Sequence, residues 1–300
     1  MVQTPWKDQY DADDLETIPC PLCGGQKSPV FAVEWSLNIV RCSDCGLSYI
    51  NPRVKESQKH YQIVDDEFIQ EKYGDIISGK KLHTRDKNYT EHVRILKKYK
   101  PEGKLLDIGS GFGWFLNKAK TGGWELQGVE PSAPLAGQAR KNFGLDITNS
   151  YLAPDTFPEN TFDIVTIIDV IEHIPNPNDY LPIVRNILKP DGVLMIKTPN
   201  ISWNNFKYLV LRKILKRENF DVYDPREHII QYSRESLKLL LERNGFSSID
   251  FYIPLPVQIG SRLLKMLRSI SYYISSADFE IRGKVNMFCT DLACVAHNNK

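Results

Sequence analysis

Glycines crowd one short stretch of the sequence, LLDIGSGFGWF at residues 105–115. The apolar run before them contains Asp107. The three glycines are Gly109, Gly111 and Gly113. Glycine at a strand-to-helix turn lets a ligand approach the backbone without a Cβ in the way. Trp114 stands where the dinucleotide fingerprint G-x-G-x-x-G needs its third glycine, and no Lys-Ser/Thr pair of a P-loop follows. The stretch therefore predicts a ligand other than a dinucleotide, unless the glycines serve only tight packing.

A carboxylate, Glu130, ends the next predicted strand, about twenty residues after the loop. In this position a carboxylate can accept hydrogen bonds from two neighbouring ribose hydroxyls. Together, Asp107, the glycine loop and Glu130 predict a site for a nucleoside ligand.

Cysteines form two close pairs near the N-terminus in the order C-x2-C…C-x2-C, with 18 residues between the pairs. They are Cys20, Cys23, Cys42 and Cys45. This spacing is typical of zinc knuckles, and four thiolates complete a tetrahedron with no open position. We therefore predict a structural Zn²⁺ rather than a catalytic one. A redox dithiol is the alternative.

Groups suited to acid–base chemistry follow a later apolar run, in the stretch DVIEH. It contains Asp169, Glu172 and His173, and we expect them at the carboxyl ends of the strands, where open α/β sheets bind ligands. The ordinary pKa of histidine lies near neutrality, which suits His173 to general-base work. The alternative is that Glu172 or His173 caps a helix or orients a loop. His228, in YDPREHIIQYS, is either a substrate-facing base or a buried structural histidine.

The elements that must position these groups alternate from Lys104 onward between short apolar runs and helical stretches. Predicted strands are KLLDIG, WELQGVE, LDIT, FDIVTIID, VLMIKTP, SSIDFYI and MFCTDLACVAH. Predicted helices are GWFLNKAKTGG, APLAGQARKNF, NDYLPIVRNILKPDG and SRESLKLLLERNGF. Ser233 is a candidate N-cap of the last helix. This alternation predicts an α/β fold with a doubly wound, mostly parallel seven-stranded sheet.

We expect three parts along the chain. Residues 1–53 form a lead-in and the cysteine module, residues 54–100 a helical lid or linker, and residues 101–300 the ligand-binding domain. The lid contains Tyr61, Tyr73 and His83. Helical insertions are predicted at 201–227 and 254–284. Their amphipathic basic stretches indicate either a cap packed on the sheet or a surface helix that contacts a membrane or a lipid-linked substrate.

Charge and composition exclude some partners. The net charge is +1, and the cysteine module carries few basic residues, so no field draws in nucleic acid. The N-terminal stretch lacks the apolar segment of a signal peptide. No apolar run reaches the roughly 18 to 20 residues that a spanning helix needs. We therefore expect a cytoplasmic protein without a transmembrane segment. The sequence says nothing about its oligomeric state.

At this point the sequence resembles the class I S-adenosylmethionine-dependent methyltransferases over residues 100–250. LLDIGSGFGWF is similar to their first motif and GVEPS to their second, while FPENTFDIVTIIDVIEHIPNP and ILKPDGVLMIKTPN resemble the blocks that follow. RCSDCGLSYINP resembles the zinc ribbon that precedes the catalytic domain in a subset of bacterial small-molecule methyltransferases, including some that act on nucleotide-linked sugars. YDPREHIIQYS resembles a segment of methyltransferases of sugar and polysaccharide pathways. The implied fold is the Rossmann-like methyltransferase fold with a small N-terminal zinc-ribbon module.

The resemblance also implies roles for single residues. The methionine part of S-adenosylmethionine would be held by Asp107, Gly109, Ser110, Gly111 and Gly113. The GVEPS motif would place Glu130, with Pro131 beside it, on the ribose. The backbone around Leu152 and Ala153 would face the adenine, and Asp169 would lie by the sulfonium. The catalytic candidates are Asp169, His173 and His228.

These observations favour methyl transfer to a small molecule, with a sugar or sugar-containing metabolite preferred. Methylation on oxygen is favoured, with nitrogen and carbon left open. A methyltransferase of RNA or protein predicts a basic face, which the sequence lacks. A nicotinamide oxidoreductase predicts G-x-G-x-x-G. A non-enzymatic zinc-ribbon module predicts loss of Glu130 or of the glycines, and both are present.

Overall fold

The computed structural model describes residues 11–55, 66–216, 221–257 and 262–300. Its strands, numbered in chain order, are β1 (Leu15–Glu16), β2 (Val30–Glu34), β3 (Leu37–Arg41), β4 (Ser48–Ile50), β5 (Arg53–Val54), β6 (Lys104–Ile108), β7 (Glu125–Val129), β8 (Asp146–Thr148), β9 (Phe162–Ile168), β10 (Leu188–Pro199), β11 (Ile230–Gln231), β12 (Phe246–Tyr252) and β13 (Asp291–Asn298). Its α-helices are α1 (Asp66–Ile77), α2 (Asp86–Tyr99), α3 (Trp114–Ala119), α4 (Ala133–Phe143), α5 (Pro177–Ile187), α6 (Ile201–Tyr208), α7 (Arg234–Arg243) and α8 (Arg262–Arg282).

The central sheet has seven strands in the order β12-β13-β10-β9-β6-β7-β8. Only β13 runs against its neighbours β10 and β12, and the remaining pairs are parallel. This confirms the predicted doubly wound, mostly parallel seven-stranded sheet. The strand order reverses between β6 and β9, so a crevice opens at the carboxyl ends of these two strands. The DVIEH stretch and the glycine loop both begin at this edge.

Local sequence signals account for some of the helix ends. Ser233 is the N-cap of α7, as predicted, and forms a capping box with Ser236. Gly144 ends α4 in the left-handed conformation, with φ of 60°. The sequence placed the end of α5 at Pro190 and Gly192, but α5 ends at Ile187. The reason is that Leu188 is already extended and pairs with Phe162 of β9.

The cysteine module is joined to the rest of the chain through a shared sheet. Strands β2, β3 and β4 form an antiparallel sheet whose fourth strand is β11, from the segment before α7. This strand was not predicted, because two residues give no periodic signal. The Ile50 amide also donates to the carbonyl of Ile229, at 3.0 Å.

A buried carboxylate adds a second link between the module and this segment. The Glu34 oxygens accept hydrogen bonds from the amides of Val222 and Tyr223, at 2.6 and 2.8 Å. The module therefore fixes residues 221–231, which carry His228.

The two predicted insertions are partly helical where they are described, with residues 221–227 and 254–257 outside any helix. The first forms α6 and a π-helical turn at Leu209–Ile214, and the second forms α8. Apolar side chains on these elements stay exposed, among them Leu209, Ile214, Met266, Leu267, Tyr273 and Ile274. Within the described residues no helix combines the length and apolar character needed to cross a bilayer.

Candidate functional site

The glycine loop leads from β6 into α3, and its three glycines meet different surroundings. A Cβ on Gly109 would lie 2.5 Å from a Val170 methyl group, and one on Gly113 would lie 2.5 Å from Leu145. These two glycines allow close packing, each with positive φ. A Cβ on Gly111 would have no neighbour within 4 Å. The loop is therefore open to a ligand in front of Gly111.

Glu130 holds this loop from the end of β7. Its Oε2 accepts a hydrogen bond from the Gly111 amide at 2.8 Å, and its Oε1 accepts one from the Ser132 amide at 2.9 Å. Burial raises the pKa of Glu130 above its usual value, against the opposing effect of these two amides. Each oxygen keeps a further lone pair for a ligand hydroxyl.

Two hydroxyl groups beside Glu130 also suit a polar ligand. Ser110 and Ser132 are buried, and among the described residues neither Oγ has a hydrogen-bond partner. Buried hydroxyls are ordinarily satisfied, so these two indicate a ligand or ordered water.

A cavity of about 200 Å³ lies beside the loop. Five of the residues predicted to bind the cofactor line it: Gly109, Glu130, Pro131, Leu152 and Asp169. The wall also includes the side chains of Leu135, Tyr151 and Tyr180, which form an apolar and aromatic surface suited to a nucleobase. These three were missed, because single apolar residues on helices and loops carry no local signal.

Five other predicted cofactor residues are not among those that line this cavity: Asp107, Ser110, Gly111, Gly113 and Ala153. Asp107 is buried and accepts a hydrogen bond from the Thr166 hydroxyl at 2.7 Å, while burial raises its pKa to about 7. The Ala153 amide donates to the Thr156 hydroxyl at 2.8 Å. Asp107 and Ala153 can therefore support the cavity wall, whereas Glu130 and Leu152 form it.

Aromatic residues of the predicted lid pack on the glycine loop. The rings of Tyr73 and Phe112 are 4.6 Å apart, and His83 lies between 5.8 and 6.0 Å from Tyr89, Phe112 and Trp114. The lid segment thus covers the loop from outside. Tyr61 lies outside the described residues.

A second cavity, of about 260 Å³, adjoins the first and shares Asp169 with it. Its wall carries charged groups of both signs together with Trp203 and Asn204. The basic members are Arg85, Lys197, Lys207 and Arg268, and the acidic members are Asp169, Glu172, Asp224 and Asp291. We call this space the charged cleft. Most of these residues come from separate elements, so local patterns carry little signal for them beyond a lysine inside the apolar stretch VLMIKTP.

Lys197 is the most buried charge of the cleft, with its side chain 3% exposed. Its Nζ lies 2.6 Å from Asp169 and 2.6 Å from Asp291. Arg85 pairs with the second oxygen of Asp169. Burial would lower the pKa of Lys197, but the two carboxylates hold it above its usual value. Two cations and two anions therefore form a buried network without net charge.

Asp169 is strained as well as paired. Its φ is 55°, in the left-handed region that non-glycine residues seldom adopt. Burial alone would raise the pKa of Asp169, but Lys197 and Arg85 bring it down to about 2. Such a carboxylate is a weak base at neutral pH, so its place between the two cavities suits positioning better than proton abstraction.

Three other groups meet where the two cavities join. Glu172 and His228 line the charged cleft, and His173 lines the first cavity. One ligand-type atom from each lies within 4.8 Å of the other two, and the two imidazole rings are 5.0 Å apart. The fold thus brings the two predicted histidines together, although they lie far apart in the sequence. His173 also contacts the Glu227 carbonyl, 54 positions away in the chain.

Burial sets the protonation of this trio. It lowers the pKa of His228 to about 3 and that of His173 below its usual value. Burial, and then the charge of Asp169, raise the pKa of Glu172 to about 8. Both imidazoles are therefore neutral at pH 7. The Nδ1 of His173 lies 2.6 Å from the Glu227 carbonyl, which can only accept, so Nδ1 carries the proton and Nε2 the lone pair.

The four N-terminal cysteines converge as the spacing predicted. Their Sγ atoms lie within 4.8 Å of one another, at 3.5 Å for Cys20–Cys45 and for Cys23–Cys42, and none is in a disulfide. Zn–S bonds of about 2.3 Å in a tetrahedron place sulfurs about 3.8 Å apart. The donor set and spacing therefore suit Zn²⁺.

Comparisons with known proteins agree with this architecture. The family model described as "Methyltransferase domain" matches residues 82–250, more than half of the chain. A methyltransferase from Archaeoglobus fulgidus, described as S-adenosylmethionine-dependent, superposes with a TM-score of 0.51 at 20% identity, covering 75% of this chain and 99% of that one. A Burkholderia thailandensis 1,6-didemethyltoxoflavin-N1-methyltransferase gives 0.51 at 12% identity, covering 90% and 99%. These identities carry the fold alone.

Curated relatives match over a shorter region. The ubiquinone biosynthesis O-methyltransferase of Rhodopseudomonas palustris is 27% identical over 113 residues, which are 36% of this chain and 44% of that protein. The corresponding protein of Glaesserella parasuis is 30% identical over 119 residues, covering 36% and 50%. The chain spans about half the length of these relatives, or less.

The strand order of the central sheet and the nucleoside-type cavity at its carboxyl edge are those of a Rossmann-like methyltransferase fold. The chain belongs to the methyltransferase-domain family, on the match over residues 82–250.

The Lys197 network predicts a large stability effect. Lys197→Ala leaves two buried carboxylates without their shared partner, which costs about 3–5 kcal/mol in the free energy of unfolding. The matched control is Lys104→Ala, whose exposed pair with Glu125 contributes about 0–1 kcal/mol. Urea unfolding of both variants measures the difference. Equal, small effects would contradict the assigned network.

Proposed function

We propose that this protein transfers a methyl group from S-adenosylmethionine to a small polar acceptor, favouring a hydroxyl of a sugar or sugar-containing metabolite. The observation that carries the proposal is the charged cleft, which shares Asp169 with the nucleoside-type cavity. A donor in one cavity and an acceptor in the other would meet at this residue.

On the donor side, the chain's own groups match the parts of the methyl donor. Glu130 would accept hydrogen bonds from the ribose hydroxyls, Leu152 and Tyr151 would flank the adenine, and the Gly109 backbone would face the methionine part. When bound, S-adenosylmethionine supplies a methyl group on a positively charged sulfur. Asp169, anionic at neutral pH, would orient this end without taking a proton.

On the acceptor side, the cleft favours a polar molecule over an apolar one. Its wall carries basic side chains that can donate hydrogen bonds to hydroxyl groups and acidic side chains that can accept them. The indole ring of Trp203 adds a flat apolar surface. Arg268 lies close enough to disfavour the charge of Lys207: burial, and then the charge of Arg268, lower the pKa of Lys207 to about 8. An anionic group of the acceptor, such as a phosphate, would relieve this repulsion.

The reacting hydroxyl would lie against Glu172, His173 and His228, where the two cavities join. Holding it in line with the methyl group and away from water supplies most of what methyl transfer needs. His173, whose Nδ1 lies 2.6 Å from the Glu227 carbonyl, would act as the general base toward its proton.

The cysteine module would serve the acceptor side without taking part in chemistry. We propose that it holds one structural Zn²⁺ and thereby fixes residues 221–231, through β11 and Glu34. That segment supplies both His228 and the Glu227 carbonyl that orients His173.

Removal of the ribose contact tests the donor site. Glu130→Ala deletes charge-assisted hydrogen bonds, each contributing about 1.5–3 kcal/mol. We expect the Kd of S-adenosylmethionine, measured by calorimetry, to rise at least about tenfold. Asp155→Ala, at an exposed position outside the cavity wall, should leave it unchanged. An unaltered Kd for the Glu130 variant would show that the site is assigned wrongly.

Transfer of labelled methyl groups tests the acceptor. A panel of nucleotide-linked sugars, free sugars, lipid-linked sugars and phenols should give product with the sugar compounds. For an anionic acceptor, Lys207→Met should raise KM at least about tenfold by removing one charge-assisted contact. Lys213→Met, on the same segment but outside the cleft wall, is the control. Methylation of the phenols alone would refute a sugar acceptor.

Zinc analysis tests the cysteine centre. Cys42→Ser should lose about one equivalent of zinc per chain, because serine is a poor zinc ligand. Hydrogen exchange should then become faster at the amides of Val222 and Tyr223, which Glu34 holds. Cys289→Ser, at a buried cysteine outside the tetrad, should keep the metal. Full retention of zinc in the Cys42 variant would disprove a four-thiolate site.

A further inference from the structure

We propose that α8 docks on an anionic lipid bilayer, where it would lie along the headgroup region with one apolar face turned toward the acyl chains. We call this face the apolar stripe; it consists of Met266, Leu267, Ile270, Tyr273, Ile274 and Ile281. None of these residues lines either cavity of the candidate site. The inference therefore does not depend on the proposed methyl transfer.

The inner face of α8, which packs on the protein, is polar. Ser271 and Ser275 on this face are 8% and 0% exposed. The Ser271 hydroxyl donates to the Phe288 carbonyl. The Ser275 hydroxyl donates to the Asn286 side-chain oxygen at 2.9 Å, and the Asn286 amide donates to Asp278 at 3.1 Å. A row of hydrogen bonds therefore joins this face to the segment that follows α8.

The apolar stripe lies on the other side of α8 and is exposed. Its members recur every three or four residues, which places them along one side of the helix over roughly 22 Å. Their exposed fractions range from 47% for Ile270 to 82% for Ile281. A helix of a globular protein normally turns its apolar stripe inward and its polar residues outward. Because α8 does the reverse, its outer face indicates an interaction surface.

Basic side chains flank the apolar stripe at both ends of α8. They are Arg262, Lys265, Arg282 and Lys284, all exposed. Within α8 as described, Glu280 is the only exposed acidic residue, since Asp278 is half-buried and pairs with Arg282 at 2.9 Å. An apolar face bordered by lysine and arginine is typical of helices that lie on anionic membranes.

The first insertion repeats this combination beside α8. Its π-helical turn, Leu209–Ile214, and the two residues after it expose both apolar and basic side chains. They are Leu209, Lys213, Ile214, Leu215 and Lys216. Helix α6, which leads into this turn, contacts Phe288 through Phe206, with ring centres 5.5 Å apart. Because α8 also contacts Phe288, the two insertions are neighbours.

A second copy of the chain is the alternative occupant of the apolar stripe. In an antiparallel pair of α8 helices, the basic start of one helix would face the basic end of the other. In a parallel pair, identical basic residues would meet. Both arrangements place like charges together, which disfavours association. Anionic headgroups, in contrast, attract the basic residues at both ends at once.

Arg268 links α8 to the charged cleft. It lines the cleft and donates to the Val257 carbonyl at 2.9 Å. An α-helix with its side chains is about 10–12 Å across. A docked α8 would thus hold the charged cleft about one helix diameter from the bilayer surface, and acceptors that gather at that surface would have a short path to it.

Vesicle binding is tested on the full chain without S-adenosylmethionine or acceptor. Sedimentation measures its partition onto vesicles of phosphatidylcholine mixed with phosphatidylglycerol, and onto vesicles of phosphatidylcholine alone. We expect partition at least about tenfold stronger onto the anionic vesicles, because the basic residues attract anionic headgroups. Added salt should weaken it.

A double substitution tests the apolar contribution. Ile270→Gln with Ile274→Gln should lower partition onto the anionic vesicles at least about tenfold, because these side chains would no longer enter the bilayer favourably. The matched control is Val33→Gln with Leu82→Gln, at exposed apolar positions outside the apolar stripe. Both variants should keep the melting temperature of the unaltered protein, since the replaced side chains are exposed.

A second double substitution tests the electrostatic contribution. Lys265→Glu with Lys284→Glu should remove the preference for anionic vesicles. Lys98→Glu with Lys141→Glu changes the net charge equally, at exposed positions on α2 and α4, and should retain the preference.

Two results would overturn the membrane assignment: no partition onto the anionic vesicles at low salt, or equal partition by the isoleucine variant and its control. A dimer in analytical ultracentrifugation that the isoleucine substitutions abolish, without vesicle binding, would assign the apolar stripe to a second copy instead. Should the isoleucine variant fail to fold, the lysine variant still decides, because partition equal to that of its control also contradicts docking through α8.

Discussion

A buried ammonium group imposes the main constraint on this protein's active edge. The Lys197 side chain lies at the end of β10, where an unpaired charge would be very costly. Its carboxylate partners come from two other strands, Asp169 after β9 and Asp291 at the start of β13. Charge balance therefore fixes the spacing of three strand ends. The donor cavity and the charged cleft are both built on that spacing.

The same network separates the roles of the acidic groups. Asp169 is ion-paired with Lys197 and Arg85, which lower its pKa. It is therefore suited to positioning groups between donor and acceptor. Glu172 lies three residues further on, with a raised pKa and with no hydrogen-bond partner for its Oε1 within the described part of the chain. The stretch DVIEH thus holds two carboxylates whose pKa values shift in opposite directions, because Asp169 forms ion pairs with Lys197 and Arg85 whereas burial dominates at Glu172.

Sequence reasoning succeeded where the signal is local. Seven apolar runs, the glycine loop, the Ser233 cap and the paired cysteines each occupy a few consecutive residues, so their spacing alone predicts the sheet, the loop and the thiol cluster. The charged cleft could not be predicted in this way, since Arg85, Lys207 and Asp291 come from distant segments. Strand β11 is too short for a periodic signal, and α5 ended early because pairing with β9 outweighed the stop signals at Pro190 and Gly192.

The strand that residues 230–231 lend to the cysteine module has an evolutionary consequence. A module that completes its sheet with a strand from the main domain is not an exchangeable appendage. The face of the module that contacts the segment carrying His228 must stay complementary to that segment. A substitution on one side therefore limits which substitutions the other side can accept. Recombination that replaced only residues 11–55 would import a mismatched edge. Divergence in acceptor preference within this lineage should therefore be accompanied by coordinated change in the N-terminal module.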